Sequence, residues 1–164
     1  MYYGEATTVL DDKGRITVPK KFRDTMHERK DAYWYMTRGF NNCLSLFPLD
    51  EWRRLQSQLD RYSSMDPESL RFRRMFLGSV AEVSPDGQGR IPVTGPHRER
   101  AELRKDVIVV GVGPNLEIWS KERWEEYQSG EDAEGEYEAM ARKLLGRLDE
   151  AQTHTEGGIH HVDH

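Results

Sequence analysis

Asp11-Asp12-Lys13-Gly14-Arg15-Ile16-Thr17-Val18 returns 75 residues later as Asp86-Gly87-Gln88-Gly89-Arg90-Ile91-Pro92-Val93. Both copies set an aspartate four positions before an arginine, a glycine just before the arginine, and two apolar residues one position apart after it. At the same offset Arg29-Lys30-Asp31 returns as Arg104-Lys105-Asp106. Farther on, the first copy carries extra residues around a turn and the offset falls to 72. Leu44-Ser45-Leu46-Phe47 then answers Leu116-Glu117-Ile118-Trp119, and Trp52 answers Trp124. Agreement at loop, linker and closing aromatic marks an internal repeat. The chain is two tandem copies of one small module.

Local signals run in the same order through both copies. Residues 7–10 and 79–83 are β-prone and lead into the loops. Gly14 and Gly89 stand where a tight turn needs positive φ. Ile16 and Val18, like Ile91 and Val93, alternate as a half-buried strand requires. Pro19 and Pro96 suit the openings of short helices over 20–26 and 96–103. Hairpins follow, pairing 32–37 with 43–47 and 107–112 with 116–119. Helices over 49–59 and, after a Ser120 cap, 121–127 close the modules. Asp66-Pro67 opens a connecting helix reaching to about residue 76. An acidic helix is expected over 131–150, and a Gly- and His-containing disordered end from about 151.

The totals bound the function. With 164 residues, 36% hydrophobic content and two modules, each core is thin, so subunits should associate. The single cysteine, Cys43, fits a reducing compartment and reads as a small buried strand residue. The N-terminus shows no secretory pattern, and no window has the roughly 18 apolar residues of a membrane span. A cytoplasmic, nucleoid-associated protein is expected. The net charge of −5 is unevenly spread: from residue 117 onward there are 13 acidic and 5 basic side chains, leaving the rest positive. Binding to nucleic acid needs a local positive face, not a positive total.

In the loops, each aspartate is placed either to brace the turn by an ion pair to its arginine or to act otherwise, although a carboxylate would repel phosphate. Arg15, with Lys13, Lys20, Lys21 and Arg23 nearby, fits phosphate or base contact, since a guanidinium fork matches guanine or phosphate oxygens. Gly111-x-Gly113 reads as a hairpin turn and not a nucleotide loop. Tyr33-Trp34-Tyr35 reads as alternating strand faces, Trp52 and Trp124 as core, and Arg71, Arg73 and Arg74 as either a solvated face or phosphate contacts. His154, His160, His161 and His164 lack ordered ligand spacing, so no metal is expected. No nucleophile, base and orienting group recur together, so neither enzyme nor cofactor is expected.

These paired Asp-x-x-x-Arg loops, each followed by Ile-x-Val and a hairpin, resemble the MraZ family, whose members carry two SpoVT/AbrB-type modules. The likeness spans roughly residues 1–127. It implies an α+β fold of two tandem AbrB-like, swapped-hairpin-type β modules with short helices: 5–53, a connecting segment 54–77, 78–127, and an acidic tail 128–164. It also implies a sequence-specific transcriptional regulator that assembles into rings. Such a regulator binds short repeated elements in double-stranded promoter DNA of the division and cell-wall cluster, its own gene included. The DNA-binding role falls by motif on Arg15 and Lys13 in the first copy and Arg90 in the second. Asp11, Gly14, Asp86 and Gly89 form the motif's frame. Gln88 replaces Lys13 in the second loop, which implies unequal contributions. The competing expectation is an antitoxin-like or scaffolding subunit that binds protein. For the acidic tail, repulsion of phosphate competes with docking of Met140, Leu144 and Leu145 on a neighbour.

Overall fold

The first copy folds as β1 (Tyr2–Val9), β2 (Arg15–Thr17), α1 (Lys20–Arg29), β3 (Trp34–Arg38), β4 (Leu44–Pro48) and α2 (Leu49–Leu59). After the connecting α3 (Pro67–Leu77), the second repeats the series as β5 (Ala81–Val83), β6 (Arg90–Pro92), α4 (Gly95–Arg100), β7 (Asp106–Gly113), β8 (Leu116–Ser120) and α5 (Lys121–Gln128). This computed structural model describes residues 1–62 and 65–156. Met1–Trp124 form one compact unit, and the chain from Glu125 onward forms another.

The two copies are interleaved. A six-stranded antiparallel sheet runs β1-β7-β8-β4-β3-β5, and a two-stranded ribbon pairs β2 with β6. Exchanging the copies reads the sheet order backwards unchanged, so a pseudo-twofold passes between β4 and β8. Each hairpin stays within its copy, but its outer partner comes from the other: β1 lies on β7, and β5 on β3. The ribbon joins one strand from each half. Its central pair, Ile16 opposite Ile91, is 1% exposed on both sides. Burying two such side chains contributes about 1.5–3 kcal/mol each and fixes the halves together.

The main core packs α1 and α4 residues such as Phe22, Met26 and His97 under Trp34, Met36, Leu46, Leu116 and Ile118 of the sheet. Every residue of β4 is buried, because α2 covers the opposite face of the sheet, its Trp52 packing on Phe47. Trp52 stacks on Tyr35 at 5.1 Å and meets Phe76 of α3 at 5.8 Å, so it belongs to the packing, as expected. Trp124 lies edge-on to Trp119 at 5.2 Å and donates its indole N–H to Glu5 at 3.0 Å. Cys43 is fully buried, and burial pushes its thiol well above the ordinary range.

Several bounds move for local reasons. Helix α1 runs three residues past its expected end and stops where Lys30 turns left-handed at φ 59°. Asp66 caps α3 by accepting the Ser69 N–H at 3.0 Å, with Pro67 at the first turn. Strand β1 begins at Tyr2, not near residue 7, because β7 supplies eight consecutive partners. A side chain on Gly111 would strike the Tyr2–Tyr3 backbone, so that glycine serves the β1–β7 approach. In the C-terminal unit, α6 (Ala133–Glu156) continues past Glu150, which corrects the expected start of disorder at 151. Residues 157–164, with three of the tail histidines, lie outside the described residues.

Candidate nucleic-acid interface

Each loop is a self-bracing turn. Asp11 receives the backbone N–H groups of Lys13 and Arg15 on Oδ1 at 2.9 Å each, and Arg15 Nε on Oδ2 at 2.9 Å. Asp86 repeats this with Gln88 N–H, Arg90 N–H and Arg90 Nε at 2.9, 2.9 and 2.8 Å. The Gly14 and Gly89 N–H groups close the turns onto the Asp11 and Asp86 carbonyls, and both glycines take φ +75°. Hydrogen bonds to the ionised form, led by the Arg15 or Arg90 backbone N–H, hold both carboxyls below their ordinary pKa. The carboxylates are therefore committed to donors of their own loops, while their side chains remain 35% and 40% exposed. Each arginine keeps its Nη donors clear of that bond, with side chains 28% and 30% exposed.

The ribbon sets where these donors point. Arg15 stands opposite Pro92, and Thr17 opposite Arg90. Directly opposed residues share a face of an antiparallel pair, and residues two apart share it too. Ile16 and Ile91 face the core, so Arg15, Thr17, Arg90 and Pro92 all project outward. The two arginines sit on one diagonal of this outer face, about 7 Å apart along the strands.

The loops are also buttressed across the repeat. The Gly14 carbonyl accepts from Val93 N–H and the Gly89 carbonyl from Val18 N–H, both at 2.8 Å. A methyl group on Gly14 would strike the guanidinium of Arg98 on α4, and one on Gly89 would strike Arg23 on α1. Arg98 in turn donates to the Val93 carbonyl. Arg23 and Arg98 occupy equivalent positions at the offset of 75, so each half's helix supports the other half's loop. Reading Arg23 and Arg98 only as local positive charge misses this role. Their match in the repeat was the available signal.

The lysines are less organised. Lys13 is exposed at the first loop, beside Arg15. Lys20 pairs with Asp24 at 3.0 Å on the surface of α1, a contact of little energetic weight. Lys21 turns away to lie over Gly4 of β1 and beside the Phe22 ring. Of the connecting-helix arginines, Arg73 donates to the Leu59 and Tyr62 carbonyls, and Arg71 and Arg74 are exposed. Among the described residues no group of His, Cys, Asp and Glu could hold a metal ion.

The family model described as "MraZ protein, putative antitoxin-like" matches residues 1–75 and again 75–147. The Transcriptional regulator MraZ of Acetivibrio thermocellus is 38% identical over 146 residues, 89% of this chain and 99% of that one. Its namesake in Caldanaerobacter subterraneus is 38% identical over 144 residues, 88% of this chain and 96% of that one. That of Heliobacterium modesticaldum is 38% identical over 145 residues, 88% and 97% respectively.

Proposed function

The chain belongs to the MraZ family, whose model it matches once in each half, and from that premise we propose that it is a DNA-binding transcriptional regulator reading its operator with the β2–β6 ribbon. One observation carries this: Arg15 and Arg90 share the outer face of a two-stranded ribbon, each oriented by its own aspartate. The major groove admits a two-stranded ribbon, and an arginine fork matches the O6 and N7 acceptors of guanine. Lys13 adds phosphate attraction at the first loop, and Lys20 a weaker share. Lys21, turned toward β1, contributes through its field alone. Asp11, Asp86, Gly14 and Gly89 hold the donors in place.

The protein acts in the cytoplasm, on the nucleoid, as a ring-shaped homo-oligomer. Its targets are short promoter repeats ahead of the division and cell-wall cluster, including its own gene. No described helix is long and apolar enough to cross a membrane. The relatives' name denotes a regulator, which is not an enzyme class.

Fluorescence anisotropy with the chain's own upstream DNA tests the reading at fixed salt. Saturable binding, competed by the same repeats and not by scrambled DNA, is the expected result. The family description's antitoxin-like wording favours a second reading, a protein-binding subunit. That reading predicts equal, weak binding to both DNAs.

A further inference from the structure

Two uncovered surfaces on this chain have matching chemistry. The first lies in the Met1–Trp124 unit, where the β3–β4 turn meets the end of α2 and the face of α3. A cavity of about 400 Å3 opens there, walled by Phe40, Phe47, Leu59, Tyr62, Phe72 and Phe76. Phe40 is 77% exposed and Tyr62 68%. So much aromatic surface at one groove marks a contact site. Arg38 and Arg61 stand at its edge, with no acidic partner among the described residues. Burial and the like charge of Arg100 press on Arg38, so the groove edge carries unneutralised positive charge.

The second surface is on α6. Tyr137, Met140, Leu144 and Leu145 are each 60–68% exposed. Their spacing puts them on one face of the helix, along about 12 Å of its length. Glu131, Asp132, Glu134, Glu136 and Glu138 crowd the start of the same segment, with no lysine or arginine before Arg142. An amphipathic helix draws most of its stability from packing that apolar face. The counterpart of the groove in the second copy, around Trp119 and Trp124, is edged by Glu5 and Glu117 and would repel such a helix.

We propose that α6 of a second copy of this chain seats its Tyr137–Leu145 face in the Phe40–Phe72 groove, its acidic start against Arg38 and Arg61. Groove and helix are different surfaces, so the contact is head-to-tail and propagates from copy to copy until it closes. The proposal rests on the oligomeric reading above and supplies the interface that reading lacks.

Two single-cysteine additions test it, Phe40→Cys in one preparation and Leu144→Cys in another; native Cys43 is buried and unreactive. After mixing, subunit exchange and oxidation, a disulfide joining one chain of each kind is expected. Separately, Leu144→Glu and Phe40→Glu should each raise the concentration at which the assembly dissociates at least tenfold. Both sites are exposed in the single chain, so circular dichroism should stay unchanged. Three results overturn the proposal. A Phe40→Cys/Leu144→Cys chain that closes on itself at monomer mass assigns the groove to its own helix. An unchanged assembly mass with no mixed disulfide removes α6 from the interface and leaves the oligomeric reading standing. A wild-type chain that is monomeric at micromolar concentration sinks both.

Discussion

At the scale of the residue, the question is how a loop with an aspartate at its head could approach a polyanion. Asp11 and Asp86 each accept three bonds from their own loops, so each carboxylate is offset by donors of its own turn although its side chain stays partly exposed. What remains is a pair of oriented guanidinium groups. A specific arginine–guanine contact is worth about 1–3 kcal/mol, or about fivefold to 150-fold per engaged loop. Arg15→Ala should cost that much in a binding titration, with fold and assembly intact. Arg90→Ala should cost less, because Gln88 stands where the first loop has Lys13; equal losses would reverse the ranking. Arg98→Ala tests the crossed buttress. It removes support from the first loop, so its effect should nearly vanish when Arg15 is already alanine and persist when Arg90 is.

Elements show what local sequence cannot encode. The repeat, the turn glycines, the hairpins and the helix over 49–59 were all legible, since each rests on residues close in sequence. Partner choice across the halves depends on pairings between residues 45 to 111 positions apart. Strand β1 was half hidden because it lies at the sheet edge, where Gly4 and Glu5 are exposed and the alternation signal is weak. Lys21, legible as charge, is turned by its helix toward β1. Interleaving has a direct consequence: residues 1–77 alone leave β1 without β7 and β2 without β6. That fragment should be unfolded or dimeric, with Ile16 facing Ile16 of its twin, and never a folded monomer. Coexpression with 78–164 should restore a copurifying, folded pair. Helix α4 carries a second prediction through His97, which is buried and donates Nε2–H to the Ser79 carbonyl at 2.5 Å. Nδ1 is buried without a partner among the described residues, and burial holds the imidazole below its ordinary pKa of 6.5. Below pH 6.5 the unfolded chain binds a proton that the fold excludes. Stability from this group is therefore complete above pH 6.5 and falls as pH drops toward the folded value, by at most about 1.4 kcal/mol per unit. Urea midpoints at pH 7.5 and 5.5 should differ more for wild type than for His97→Asn.

At the scale of the whole molecule, charge and valency decide how a chain of net charge −5 holds DNA. Acidic residues concentrate from residue 117 onward, while the ribbon face carries the arginines. At 0.1 M salt each charge acts over about 10 Å, so the field at the ribbon is set by the groups nearest it and not by the chain's total. With the ribbon as the proposed reading surface, one face makes few contacts, so a single repeat should bind weakly, with a shallow salt dependence of about −0.9 log units per phosphate engaged. In the proposed assembly, linking many ribbons turns later contacts into intramolecular events, worth about 10²–10⁴ in apparent affinity when repeat spacing matches subunit spacing. Wild-type protein should therefore prefer DNA with several correctly spaced repeats over a single repeat by that factor, with a steeper salt slope. Shifting alternate repeats by half a helical turn should erase the gain, because those ribbons would face the wrong side of the duplex. Leu144→Glu should lose the multi-repeat gain yet keep wild-type affinity for one repeat, since the loops are untouched. If it instead binds a single repeat more weakly, α6 acts on the ribbon itself and not through valency.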